Sequence, residues 1–149
     1  MKKAYLAILL FLAATQAFAQ AVVPPATWQE HWFGHNEILY RMYYDNDVAI
    51  YYDSGVSSSI TWPNKLVGDV WRYTKSVYGD FGPENRVYGI FHSNSGITGG
   101  HPATWGDDHH DYRNAIDLGG SWASPTGWNL DATVHEVGHI VEGGSKGVL

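Results

Sequence analysis

The chain has 149 residues, a length that suits one domain with its own buried core. It contains no cysteine, so packing or metal binding must stabilise it without disulfides. Fifteen acidic and nine basic residues give a formal charge of −6, and no basic run follows the first three residues. This composition argues against nucleic acid as a partner.

The N-terminus has the pattern of an export signal. Lys2 and Lys3 precede the apolar run AYLAILLFLAA, and Ala17 and Ala19 have the small side chains that a signal peptidase requires. The run is too short for a transmembrane helix. We therefore predict a signal peptide over residues 1–19 and a secreted or periplasmic chain without a membrane anchor.

The remainder divides into a short leader and one domain. Residues 20–27 contain Pro24 and Pro25, which cannot donate backbone hydrogen bonds to a helix or a central strand. We predict that this leader is extended. Residues 28–149 show no internal repeat, and we predict that they form a single domain.

A β-hairpin is the first element that the pattern predicts. The segment EILYRMYYDNDVAIYYDSG alternates with period two, and DND at 45–47 suits its turn. The side chains expected to share one face of their strand are Ile38, Tyr40, Met42 and Tyr44 in the first strand, and Val48, Ile50 and Tyr52 in the second.

The period changes after the hairpin. Apolar residues recur at three- and four-residue steps between Pro63 and Gly79, which predicts a helix over this segment. RVYGIFHS (86–93) and NAIDLGG (114–120) predict strands, separated by a loop rich in Gly, Asp and His. The order of hairpin, helix, strand, long loop, strand and helix indicates an α+β fold.

The last predicted helix carries a candidate metal motif, in the stretch ATVHEVGHIVEGG (132–144). His135 and His139 are four residues apart, so they share a helix face and can direct both imidazoles to one point, as a zinc ion requires. Glu136 lies one step round the helix, where it can hydrogen-bond a water on the metal and take its proton. The motif therefore predicts zinc-dependent hydrolysis.

The neighbours of the motif are consistent with a partly buried helix. We expect the helix over residues 130–141, capped by Asn129 or Asp131, with Gly138 allowing another backbone to approach closely. The alternative is a core helix with incidental histidines. The apolar residues expected to bury the helix are Val134, Val137, Ile140 and Val141.

At these residues the chain resembles the zincin superfamily of metallopeptidases. TVHEVGHIV is similar to the zincin active-site helix, and the preceding elements are similar to a zincin N-terminal subdomain, with a mixed sheet and a backing helix. The resemblance implies that Zn²⁺ is bound by His135 and His139, with Glu136 as the general base. It also implies that the strand over residues 114–118 is the edge along which a peptide or protein substrate lies.

The resemblance leaves the third zinc ligand open. Metzincins continue to a glycine and a third histidine where this chain has Glu142 and Ser145, so the pattern is not theirs. Glu142 lies two turns from His135, about 10 Å along the axis, and could reach the ion only if the helix broke at Gly143 and Gly144. We therefore expect a zincin N-terminal portion, truncated at its C-terminus, that binds zinc weakly, is inactive, and leaves apolar residues of the helix partly uncovered.

Two further groups of histidines are candidate metal ligands. The loop GGHPATWGDDHHDYR could bind a second metal or a calcium ion, could contact substrate, or could be a solvated polar loop. His31 and His35 are also four apart, but Trp32 stands where the catalytic glutamate would be and Gly34 disfavours a helix, so we interpret them as structural. The candidate ligands in the loop are His101, Asp107, Asp108, His109, His110 and Asp111.

Two rival hypotheses remain open at this point. One is an exported aromatic-rich binding module, such as one for glycans, in which the histidines of the motif are incidental. The other is a zincin-like domain that has lost its activity. The aromatic residues that suggest the first are Trp28, Trp32, Tyr43, Tyr44, Tyr51 and Tyr52.

Overall fold

The computed structural model describes residues 22–94 and 96–146, so the predicted signal peptide lies outside the described residues. Six strands and two long helices follow one another, with one short 3₁₀ turn at Asp108–His110. In chain order they are β1 (Thr27–Gln29), β2 (Ile38–Tyr44), β3 (Val48–Tyr52), α1 (Trp62–Tyr78), β4 (Val87–His92), β5 (Gly99–Ala103), β6 (Asn114–Gly119) and α2 (Trp128–Lys146).

All six strands form one mixed sheet in the order β1-β2-β3-β4-β6-β5. The three central strands, β3, β4 and β6, are parallel, and the others join antiparallel. Ile50, Gly89 and Ile116 lie side by side across the centre. The structure confirms the predicted α+β class with a mixed sheet and two helices.

Both helices pack on one face of the sheet. Val67 and Trp71 of α1 and Ile140 of α2 are fully buried in the same core as the helix-facing side chains of β3, β4 and β6. α1 therefore backs the sheet as predicted. Neither long helix in the described part of the chain is long and apolar enough to cross a membrane.

A second, smaller core covers the opposite face of the sheet. Trp28 packs edge-on against Tyr51 and Tyr88, with ring centroids 5.5 and 5.6 Å away. Trp28 belongs to β1, a strand that the sequence did not predict. The extended leader ends there, because Thr27 is already paired with Tyr40 of β2.

The hairpin forms at the predicted turn, but the predicted face of its first strand is wrong. The register passes from Arg41 opposite Tyr51 to Tyr43 opposite Ile50, so Met42 is an extra residue in a β-bulge. Beyond the bulge, the alternation of side chains between the two faces of the sheet is reversed. Tyr44 therefore points to the opposite face of the sheet from Tyr40. The three residues predicted to share a face in β3 do so, since Val48, Ile50 and Tyr52 all lie in the helix-side core.

The edge of the sheet also differs from the prediction. β6 lies between β4 and β5, so residues 114–118 are not an edge. The edge strand on this side of the sheet is β5, which forms within the segment predicted to be a loop. Gly99, Gly100 and Pro102 have weak strand propensity, but an edge strand tolerates proline because one side of its backbone needs no partner.

α2 is longer than predicted at both ends. It begins at Trp128, so Asn129 and Asp131 lie inside its first turn and are not its cap. The Asn129 amide donates instead to the carbonyls of Ser121 and Ser124, at 2.8 and 2.7 Å. The helix continues through Gly143 and Gly144 without a break, because tertiary packing overrides the low helix propensity of glycine.

The packing of α2 corrects two further expectations. Val137 and Ile140 were expected to be partly uncovered but are buried, whereas Val141 is only partly buried, as expected. Val134, expected to help bury the helix, is 48% exposed. The predicted backbone approach at Gly138 is wrong, because no described atom outside the helix backbone lies within 4 Å of the position of a Cβ there.

The open surroundings of Gly138 yield a stability prediction. Gly138→Ala should raise the free energy of unfolding by about 1 kcal/mol, because alanine restricts the unfolded chain and meets no obstacle in the helix. Gly144→Ala is the matched control in the same helix, since its Cβ would lie 2.8 Å from the ring of Phe81. Urea denaturation should show stabilisation for the first variant and not the second, and a destabilised Gly138→Ala would contradict the packing described.

Candidate metal centre

The two motif histidines of α2 converge as the sequence predicts. Their Nε2 atoms are 2.9 Å apart, and the rings are perpendicular with centroids at 4.5 Å. Ligands of a tetrahedral zinc ion with bonds of 2.0 to 2.1 Å stand about 3.3 Å apart, so the rings would separate by a few tenths of an ångström around an ion. Both His135 and His139 face solvent more than core, which leaves the point between them accessible.

Glu142 contacts the outer nitrogen of one of these rings. Its Oε2 lies 3.2 Å from Nδ1 of His139, and Nε2 of His139 faces His135. The helix break that would bring Glu142 to the ion is not observed. A carboxylate on Nδ1 instead fixes the tautomer that leaves Nε2 free as a ligand.

Glu136 lies on the sheet side of the helix and is only 6% exposed. It packs against the backbone of Gly100 in β5, where an added Cβ would come within 2.8 Å of Oε1. Oε2 has no hydrogen-bond partner among the described residues. Burial raises the pKa of Glu136, and the neighbouring imidazoles of His135 and His139 only partly offset this. A buried carboxylate with a raised pKa is a stronger base.

A third ligand for this centre does not come from the described residues. Within residues 22–94 and 96–146, no group of three or more ligand atoms lying within 4.8 Å of one another includes His135 or His139. The described part of α2 therefore brings two imidazole nitrogens to one point, next to one buried carboxylate.

The loop predicted to hold six candidate ligands separates into two groups. Asp107, Asp108 and His109 form a polar group at the 3₁₀ turn, where Asp107 accepts a hydrogen bond from the His109 backbone at 2.9 Å. His101 and His110 turn inward, with their Nε2 atoms 3.3 Å apart and His110 only 3% exposed. The picture of a wholly solvated loop is therefore wrong for these two histidines.

Asp111, the sixth candidate, holds the loop to the sheet. Its Oδ2 accepts a hydrogen bond from the Trp28 indole at 2.7 Å. The other two histidines four residues apart, His31 and His35, do not converge on one point. His31 is exposed beside the carbonyl of Asp108, whereas His35 turns toward the sheet.

A buried polar cluster on this face of the sheet was not predicted. His92 is fully buried, with Nε2 3.1 Å from Glu30 and 3.0 Å from Asp117, and Nδ1 3.4 Å from Asp53. Burial lowers the pKa of His92, but the carboxylates of Asp117 and Glu30 outweigh it and raise the pKa to about 10. His92 is therefore a buried cation at neutral pH.

The pKa values of two carboxylic acids in the cluster, Asp117 and Glu30, are lowered. Burial alone would raise the pKa of Asp117, but His110 and His92 hold it well below its usual range. The pKa of Glu30 is also lowered, because its hydrogen bonds to His35 and His92 outweigh its burial. Both acids are therefore charged inside the protein.

The sequence carried a weak signal for this cluster. His92 ends an otherwise apolar strand and Asp117 lies between Ile116 and Leu118 in β6. Each follows a buried apolar residue by two positions. Period two predicts that Ile90 and His92 share a face, and likewise Ala115 and Asp117. The missing information was that β4 and β6 are neighbours.

Comparison of the chain with protein-family models, with curated proteins and with solved structures found no match. The resemblance to the zincins therefore rests on the motif of α2 and on the elements around it.

Proposed function

We propose that this chain is an exported zinc-dependent metallopeptidase domain acting on peptide or protein substrates. His135 and His139 would hold Zn²⁺, and Glu136 would be the general base. One observation carries the proposal: two Nε2 atoms 2.9 Å apart stand beside a buried carboxylate whose Oε2 has no hydrogen-bond partner among the described residues. Export is proposed from the pattern of residues 1–19.

The residues present fit a zinc ion. Neutral imidazole nitrogens are common zinc ligands, and the i, i+4 spacing on α2 brings two of them to one point. Zn²⁺ lowers the pKa of a bound water and polarises a carbonyl. Two protein ligands bind less tightly than the usual three, so we expect the described residues alone to bind zinc weakly.

Glu136 supports the proton transfers of peptide hydrolysis. Its carboxylate accepts a proton from the water whose oxygen attacks the peptide carbonyl carbon. The same carboxyl group then donates that proton to the amide nitrogen as the C–N bond breaks. The raised pKa of Glu136 matches this double role, because the group must accept and release a proton near neutral pH.

The edge strand β5 offers a place for the substrate backbone. Its inner side pairs with β6, and its residue Gly100 packs against Glu136. Extended peptides bind by adding a strand to such an edge, using main-chain hydrogen bonds that tolerate varied side chains. We propose that a substrate lies along β5, with its scissile bond next to Glu136.

The aromatic residues give less support to the glycan-binding hypothesis. Trp28, Tyr51 and Tyr52 are buried in the two cores, so they offer no ring face to a sugar. Trp32 stacks on His101, with centroids at 4.6 Å, and is similarly engaged. Four of the six aromatic residues that suggested the hypothesis are therefore engaged in packing or stacking within the protein.

The first functional prediction separates metal binding from proton transfer. In a complete version of the enzyme with measurable peptidase activity, Glu136→Gln should keep bound zinc while peptide hydrolysis falls by about 10²- to 10⁴-fold, since the amide keeps the size of the side chain but accepts no proton. His139→Ala should lose one equivalent of zinc as well as activity. Zinc content by atomic absorption and cleavage of a fluorogenic peptide library measure the two effects.

The control for these variants is Asp131→Asn, an exposed acid in the first turn of the same helix. It should leave zinc content and hydrolysis unchanged. Full activity of Glu136→Gln, or zinc content that does not respond to His139→Ala, would contradict the proposed mechanism.

A second prediction concerns the approach of α2 to the edge strand. Gly100→Ala should reduce hydrolysis and leave zinc bound, because the new methyl group would stand 2.8 Å from Oε1 of Glu136 and 2.6 Å from Leu118. Thr98→Ala is the control just before the same strand, since its exposed side chain only loses atoms. Equal activity of the two variants would show that the catalytic role proposed for Glu136 does not depend on its contact with Gly100.

A further inference from the structure

A cavity opens on the sheet face opposite the helices. It has a volume of about 200 Å³ and is lined by Trp32, His35, His101, Asp117 and the glycine-rich segment 96–100. The cavity is therefore bordered by part of the buried polar cluster and is separate from the histidines of α2. Its walls bring nitrogen and oxygen ligand atoms to one place.

Two lining residues of this cavity, His101 and Asp117, and the neighbouring His110 offer three ligand atoms with the spacing of a four-coordinate metal site. Nε2 of His101 and Nε2 of His110 are 3.3 Å apart, and each lies 3.6 Å from Oδ2 of Asp117. Tetrahedral ligands at 2.0 to 2.1 Å from an ion stand about 3.3 to 3.4 Å apart, whereas right-angled ligands at that bond length stand about 2.9 Å apart. The observed separations match the tetrahedral arrangement more closely.

The residues around these three atoms orient them toward one another. Nδ1 of His110 donates to Oδ2 of Asp107 at 2.7 Å, which leaves Nε2 of His110 free. Oδ1 of Asp117 lies 3.0 Å from the His92 cation, so Oδ2 is the oxygen that faces the two histidines. A carboxylate behind a ligand histidine is the usual support of zinc sites in proteins.

The surroundings of the Asp117 carboxylate also favour a cation at Oδ2. Asp117 is only 2% exposed, and neither of its carboxylate oxygens makes a well-formed hydrogen bond within the described residues, although several imidazole nitrogens lie nearby. A buried carboxylate without hydrogen bonds is costly. A dication at Oδ2 would offset that cost.

We propose that His101, His110 and Asp117 form a second metal site that binds a divalent transition-metal ion, with Zn²⁺ the best fit. Two imidazoles and one carboxylate suit zinc, whereas calcium and magnesium prefer oxygen ligands alone. The cavity gives water or a small oxygen ligand access to the fourth position. His35 borders that position, with Nε2 3.5 Å from Oδ2 of Asp117 and Nδ1 held by Glu30 at 3.0 Å.

The test uses the full chain carrying His135→Ala and His139→Ala, so that the α2 motif cannot contribute. Titration with Co²⁺ should give one equivalent of binding, with the intense visible bands of tetrahedral cobalt, and Zn²⁺ should displace it. Adding His101→Ala should weaken binding by at least about 100-fold, because loss of a supporting residue alone costs 10- to 100-fold. His31→Ala, which replaces an exposed histidine that contacts none of the three ligands or Asp107 in the described structure, is the control and should change nothing.

A second variant covers the possibility that loss of His101 disturbs folding. Asp107→Asn keeps the size of the supporting side chain and all three ligands, and should weaken Co²⁺ binding by about 10- to 100-fold. Absence of a Co²⁺ equivalent, or equal effects of His101→Ala and His31→Ala, would overturn the proposal. These outcomes are independent of the proposed peptidase site, because both of its histidines are already replaced.

Discussion

The position of both candidate metal sites depends on the pleat of one edge strand. Consecutive residues of a strand point to opposite faces of the sheet, so Gly100 of β5 faces α2 while His101 faces the buried cluster. Because Gly100 has no Cβ, the helix approaches the sheet closely enough for Glu136 to pack on the strand backbone. A larger residue would separate the proposed base from the edge where we place the substrate.

The buried charges on the opposite face constrain the structure in a different way. His92 and Asp117 extend from neighbouring parallel strands and neutralise each other, with Glu30 contacting the same imidazole. Removing one partner of a buried ion pair costs about 3 to 5 kcal/mol, since the other charge is left without compensation. The network therefore fixes the orientation of Asp117, so that its Oδ2 faces His101 and His110.

Periodicity was sufficient to predict the elements that are long or strongly patterned. The hairpin, both helices and the strands β4 and β6 follow from alternation or from helical spacing, and His135 and His139 converge because i, i+4 neighbours must share a helix face. β5 was missed because its glycines and proline conceal an edge strand. The cluster around Asp117 was missed because its members come from separate strands and loops, and local spacing does not reveal which strands are neighbours.

The most direct test of the central claim is anomalous diffraction at the zinc absorption edge from crystals of the full chain grown with Zn²⁺. The proposed function requires a peak between the Nε2 atoms of His135 and His139, within reach of Glu136. The second inferred site predicts another peak on the opposite face of the sheet, among His101, His110 and Asp117. Crystals that bind zinc elsewhere on the chain but show no peak beside His135 and His139 would contradict the assignment of α2 as the metal-binding helix.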